Sequence, residues 1–304
     1  MQLQQQDFVR FENLDLLARQ VVEGFIIGLH KSPYHGFSVE FAEHRLHNPG
    51  DSIKDIDWKV YARTEKLYTK KFEEETNLRC QIVIDASSSM YFPKEPEQGK
   101  LNKIQFSSVA AAAIMHLLKK QRDAVGLSIF DKEVSVQTAA KTNAMHHQLL
   151  MNELYKIMQD TVAHKPTNAA KCLHQIADAV HKRSLVVIFS DMLDSIDEQE
   201  LFLALQHLKH NKHEVVLFHV VDKAKEIDFK FENRPYKFID MESGEELKLQ
   251  PNQVKDFYIR KMAERKNNLK LKCAQYKIDL VEADINEGFE PILLSYLVKR
   301  NKMV

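Results

Sequence analysis

The chain has 304 residues, with 43 Lys and Arg against 43 Asp and Glu, 44% hydrophobic and 28% charged residues, the make-up of a folded, soluble protein. Zero net charge gives no prior for nucleic acid or an acidic membrane as the main partner. Eight glycines and eight prolines, where average usage gives roughly 36 together, exclude a linker-rich, low-complexity or many-stranded all-β chain.

In chain order, the first residues carry charges where a signal peptide needs its apolar run. Leu14–Leu29 reads as an amphipathic or buried helix. Residues 32–77 mix β-branched and aromatic residues around a Pro49-Gly50-Asp51 turn, which predicts a small β-rich appendage with Trp58 and Phe72 anchoring it. From residue 78 onward, short apolar runs alternate with longer helical patterns. The runs are Gln81–Ile84, Ala124–Phe130, Leu185–Phe189, Val215–Val221 and Ile278–Val281. Being continuous and rich in Val and Ile, they fit strands buried on both faces. The helical patterns are Lys100–Gln121, Ala144–Met158, Asn168–Lys182, Glu198–Asn211 and Pro291–Lys299. Residues 226–251 interrupt the alternation as short strands around turns. A helix from about Asn252 to Tyr276 follows, in which Lys255, Arg260, Lys261, Arg265, Lys266, Lys270 and Lys272 outnumber Asp256 and Glu264. That excess reads as a solvated face, with a nucleic-acid or acidic-partner surface as the second reading.

Strand–helix alternation predicts an α/β three-layer sandwich with a mostly parallel sheet. The expected division is an N-terminal helix and appendage over 1–77 and an α/β domain over 78–304, with 226–276 as its β-ribbon and helix insertion. Cys80, Cys172 and Cys273 form no CxxC pair, which argues against a disulfide framework or a thiolate zinc site. No apolar stretch approaches the roughly 20 residues that span a bilayer. Together these predict a reduced, cytoplasmic protein without a membrane span.

The sharpest chemical signal closes the first buried strand: Asp85-Ala86-Ser87-Ser88-Ser89. A carboxylate and two hydroxyls at alternate positions form an oxygen-only cluster at the sheet edge where open α/β folds bind ligands. Such ligands suit a hard divalent cation, Mg²⁺ or Mn²⁺. The blander reading is that Ser87, Ser89 and Asp191 cap helices and turns.

The Asp-x-Ser-x-Ser spacing resembles the metal-ion-dependent adhesion site of von Willebrand factor type A domains. Thr167, just before a helical pattern, and Asp191, just after Leu185–Phe189, match that family's further loops. The resemblance implies a von Willebrand A-like, Rossmann-type sandwich with a metal held at Asp85, Ser87, Ser89, Thr167 and Asp191. Ser87 and Ser89 would bind directly, and Asp85 and Asp191 through water or hydrogen bonds. Lys165-Pro166 stands where many members have glycines.

The appendage resembles the bacterial family called domain of unknown function 58. Ser32, Gly36, Glu40-Phe41, Arg45, Pro49-Gly50-Asp51, Ile56-Asp57-Trp58, Ala62-Arg63, Leu67, Phe72 and Glu74 carry the likeness. It implies a non-enzymatic adaptor, with a protein partner supplying an Asp or Glu to the metal. A MoxR-type AAA+ ATPase is the partner the family suggests, in complex assembly or metal insertion. The alternative is a metal-dependent, phosphatase-like hydrolase. That chemistry needs a carboxylate two residues after the nucleophilic aspartate, where this chain has Ser87. There is no GxxxxGK[ST], GxSxG or HExxH motif, which leaves P-loop, serine-hydrolase and zinc-protease chemistry without their residues. His207, His210 and His213 read as surface residues. Asp85→Ala and Ser87→Ala are expected to leave the fold largely intact.

Overall fold

The computed structural model describes residues 14–31, 44–46, 61–63, 68–70, 78–97, 99–160, 168–192, 198–301 and 303. Two compact units emerge, one of Met1–Phe25 with Leu78–Val304 and one of Ile26–Asn77. Helix α1 (Leu14–Lys31) buries Leu14, Leu17, Ala18, Val21, Val22 and Phe25, a stripe at helical spacing. In the smaller unit, β1 (His44–Leu46) pairs antiparallel with β2 (Tyr68–Lys70), His44 opposite Lys70. Trp58 and Phe72, expected to anchor the appendage, lie outside the described residues.

The larger unit is built on β3 (Arg79–Asp85), β4 (Ala124–Phe130), β5 (Val134–Gln137), β6 (Leu185–Ser190), β7 (Glu214–Val221) and β10 (Asp279–Asp284), in the order β10-β7-β6-β3-β4-β5. All neighbours are parallel except the edge strand β5, which runs antiparallel to β4. One face carries α4 (Ala169–Ala179), α5 (Glu198–His210) and α6 (Pro251–Gln275). Their Ile176, Leu205 and Leu269 share a core with Val83, Val186, Ile188 and Leu217 of the sheet. The alternate strand residues Ile82, Ile84, Val187 and Phe218 are fully buried too. They point to the opposite face, since successive strand side chains alternate. Two covered faces explain why the strands are unbroken apolar runs. The second face holds α2 (Lys103–Lys120), α3 (Ala144–Gln159) and α7 (Glu290–Asn301). Helix α2 is buried along most of its length, and Phe106 stacks on Phe289 beside α7 at 4.8 Å. This is the expected three-layer α/β sandwich with a mostly parallel sheet.

The insertion is a short hairpin of β8 (Tyr236–Ile239) and β9 (Glu246–Leu249), joined antiparallel, followed by α6. A single π-helical turn, Lys223–Ile227, precedes it. On α6, Lys261 pairs with Glu264 and Lys266 with Glu282, while Arg265 donates to the carbonyl of Met192 at 2.7 Å. No helix among the described residues is long and apolar enough to cross a membrane.

Gly126 on β4 shows how closely the sheet is packed at its β5 edge. A Cβ there would run into Gln81 Oε1 and sit 2.8 Å from the Thr138 carbonyl oxygen. Gln81 is buried and donates to Ser128 Oγ at 2.9 Å and to the Thr138 carbonyl at 3.2 Å, so it cannot retreat without losing both bonds. Gly126→Ala should therefore cost about 1–3 kcal/mol by overpacking, read as a lower urea midpoint with unchanged slope.

Candidate metal centre

The chain proceeds outward from β3 to β5 and then returns to place β6, β7 and β10 on the other side of β3. Between β3 and β6 the order reverses, and open α/β sheets bind ligands at the carboxyl end of such a switch point. Asp85 closes β3 and Asp191 immediately follows β6, so topology alone brings these two carboxylates to one crevice.

Asp85 is 2% exposed and acts as a hub between the two loops. Its Oδ1 accepts the Ser87 backbone N–H at 3.0 Å, and its Oδ2 accepts the Ser190 hydroxyl at 2.6 Å. Ser190 Oγ in turn accepts the Met192 N–H at 2.9 Å. Burial, together with the charge of Asp191, pushes the Asp85 carboxyl up to about 6, against the opposing pull of Ser190 and the Ser87 amide. Ser190 was not singled out in the sequence, where it sits unremarked between Phe189 and Asp191.

The hydroxyls of Ser87 and Ser89 lie 3.1 Å apart. Ser87 stands at the N-cap of the 3₁₀ turn Ser88–Tyr91, but its side chain makes no capping bond, which corrects the capping reading at this position. Two adjacent ligands of an octahedral ion at 2.0–2.1 Å are separated by about 2.9 Å. The pair therefore fits an edge of a Mg²⁺ or Mn²⁺ coordination sphere, with Asp85 behind it to orient bound water. Thr167 lies outside the described residues. The helix after it is anchored at this same edge: Asn168 N–H donates to the Asp131 carbonyl at 3.2 Å, and its side chain caps α4 through the Lys171 N–H at 3.2 Å. Among the described residues, no group of three or more His, Cys, Asp or Glu side chains is arranged to hold a metal. A cation here would depend on hydroxyl oxygens.

The fifth expected residue, Asp191, is buried and engaged by a cation already in the chain. Lys103 is fully buried and places its ammonium 2.7 Å from Asp191 Oδ2 and 2.6 Å from Glu226 Oε1. Burial alone would lower the Lys103 pKa, but the charges of Asp191 and Glu226 raise it. Glu226, in the π-helical turn, accepts the Asp222 N–H through its other oxygen at 2.7 Å. Lys103 is the first residue of α2, held there by a reciprocal cap between Asn102 and Gln105. A cation at a helix N-terminus opposes the helix dipole. A lysine opening a helix that is buried along most of its length was thus the available signal that acidic partners await it.

The family model described as protein of unknown function DUF58 matches residues 43–268. The chain belongs to the DUF58 family. Uncharacterized proteins of Mycobacterium tuberculosis and Mycobacterium bovis are 26% identical over 209 residues, 69% of this chain and 63% of theirs. The DUF58 chain thus spans 63% of the length of these relatives. Among solved structures, it is similar to the conserved hypothetical protein BatB of Bacteroides thetaiotaomicron, with a TM-score of 0.45 and 10% identity over 74% of this chain and 98% of that one. It is also similar to the SpRpn10 VWA domain, with a TM-score of 0.40 and 13% identity over 72% of this chain and 94% of that one.

Proposed function

We propose that this DUF58 protein is a non-enzymatic adaptor whose protein binding depends on Mg²⁺ or Mn²⁺ at the carboxyl edge of the sheet. The observation that carries the reading is the Ser87–Ser89 hydroxyl pair, 3.1 Å apart, set over the buried carboxylate of Asp85. Neutral hydroxyl ligands leave a bound ion its Lewis acidity, and an Asp or Glu of a protein partner would complete the coordination. Asp85 and Ser190 hold the β3 and β6 loops together, so the hydroxyls are presented on a fixed platform. The partner we propose is a MoxR-type AAA+ ATPase, in complex assembly or maturation. A phosphatase-like hydrolase gains nothing from the geometry: position 87 is a buried serine, and both Asp85 oxygens are engaged by the fold.

The test is capture of a MoxR-type AAA+ ATPase from the same organism by immobilised protein in Mg²⁺ and in chelator. Capture in Mg²⁺ that is lost on chelation is the expected result. Capture indifferent to the chelator would refute the cation dependence.

The same site predicts a pH dependence. A carboxyl raised to about 6 carries a proton below that pH, and a cation relying on its charge must displace it. Mn²⁺ affinity should be nearly flat above pH 7 and fall by roughly tenfold per unit below about pH 6. Calorimetric titration at pH 5, 6, 7 and 8 measures it, and an affinity unchanged at pH 5 would remove Asp85 from the site.

A further inference from the structure

Away from the sheet edge, α4 and α5 bring two histidines together. His174 Nδ1 and His207 Nδ1 lie 3.0 Å apart, with ring centroids separated by 5.2 Å and planes inclined by 42°. The other nitrogen of His207, Nε2, is 3.4 Å from the carboxylate of Asp178, one helical turn beyond His174 on α4. A neutral imidazole has one N–H and one bare nitrogen. A carboxylate beside Nε2 favours the proton there and leaves His207 Nδ1 bare, facing His174.

We propose that His174 and His207 form a transition-metal site for Zn²⁺, Ni²⁺ or Cu²⁺, bound through the two Nδ1 atoms and completed by water. Imidazole ligands suit these ions, whereas the oxygen cluster of Asp85, Ser87 and Ser89 suits Mg²⁺ and Mn²⁺. The spacing agrees. Bonds of about 2.0–2.1 Å put two nitrogens about 2.9 Å apart at an octahedral angle and about 3.3 Å apart at a tetrahedral one, and 3.0 Å falls between. The 5.2 Å centroid separation sets the rings nearly end to end, so both must tilt for their lone pairs to meet at one ion. Asp178 supplies the carboxylate that metal-bound histidines need on their second nitrogen to fix ring and tautomer. The His207 side chain is 28% exposed and that of Asp178 72% exposed, so an ion can enter from solvent and keep its waters. With two protein ligands the site would exchange its ion readily. The structure also separates these residues from His213, which lies beyond α5 in the turn before β7. His213 is fully buried and its Nδ1 accepts the Ser184 N–H at 3.2 Å, which corrects its placement on the surface.

The experiment strips the full-length protein of metal with chelator, removes the chelator, and titrates Zn²⁺ by calorimetry, with Cu²⁺ paramagnetic resonance to count nitrogen ligands. Wild type should bind one more Zn²⁺ per chain than the His174→Ala/His207→Ala variant. Its Cu²⁺ spectrum should show two nitrogens that the variant lacks. Asp178→Asn should weaken that site 10–100-fold, and Ser87→Ala should leave it unchanged. A double variant with native circular dichroism that binds the same number of Zn²⁺ ions with the same affinity would overturn the proposal. So would a wild-type protein that binds no Zn²⁺, since the two rings would then share only a hydrogen bond.

Discussion

Lys103→Met should lower the stability of the fold by about 3–5 kcal/mol, the usual effect of removing one partner from a buried ion pair. Methionine keeps most of the apolar stem of lysine, so little of the loss would come from packing. The loss would come from Asp191, 3% exposed, and Glu226, 16% exposed at its side chain, desolvated carboxylates that would lose the buried ammonium between them. Neutralising the partners together with the lysine, as in Lys103→Met/Asp191→Asn/Glu226→Gln, should recover much of the loss, because the isolated charge rather than the missing bond dominates. Urea unfolding of the two variants beside wild type measures both effects. A loss below about 1 kcal/mol for Lys103→Met, in the range of exposed pairs, would show that water reaches this network.

Asp85→Ala should also destabilise, by about 1–3 kcal/mol, because two donors buried at the carboxyl edge of the sheet lose their acceptor. These are the Ser87 N–H and the Ser190 hydroxyl. From sequence alone this substitution was expected to leave the fold largely intact. The structure gives a reason to expect a loss instead, since Asp85 ties the β3 loop to the β6 loop as well as facing the crevice. Asp85→Asn keeps a carbonyl oxygen for the Ser87 N–H and should lose less. Thermal and urea midpoints would rank wild type above Asn and Asn above Ala, and an alanine variant as stable as wild type would contradict the hub role. Ser87→Ala removes a hydroxyl that caps nothing and is the cleaner probe of metal binding.

The parallel strands were legible because burial on both faces leaves a continuous apolar signature: four of the five expected runs are a strand or the greater part of one, and Ile278–Val281 meets the first half of β10. The antiparallel edge strand β5 was not. Its Val134-Ser135-Val136-Gln137 is only four residues long, with side chains alternately half-buried and exposed, too short a pattern to rise above a loop. The motif at Asp85, Ser87 and Ser89 was legible because its residues are neighbours in sequence. What the sequence hid are partners that meet only through the fold. Lys103 reaches Asp191 88 residues away, Ser190 reaches Asp85 across 105 residues, and His174 meets His207 across the packing of α4 on α5. No local periodicity encodes such pairings. Lys103 changes the electrostatics most, because Asp191 shares its charge with a buried ammonium before any cation arrives.

The central claim, a divalent cation held by the Ser87 and Ser89 hydroxyls, is tested most directly by titrating Mn²⁺ into metal-free wild type and Ser87→Ala at pH 7.5. The His174→Ala/His207→Ala background removes imidazole binding from both. The account predicts one modest-affinity Mn²⁺ per wild-type chain, tightened by a captured acidic partner, as linkage requires, and lost in Ser87→Ala with the melting temperature of the metal-free protein unchanged. Equal Mn²⁺ binding by the two proteins would contradict it.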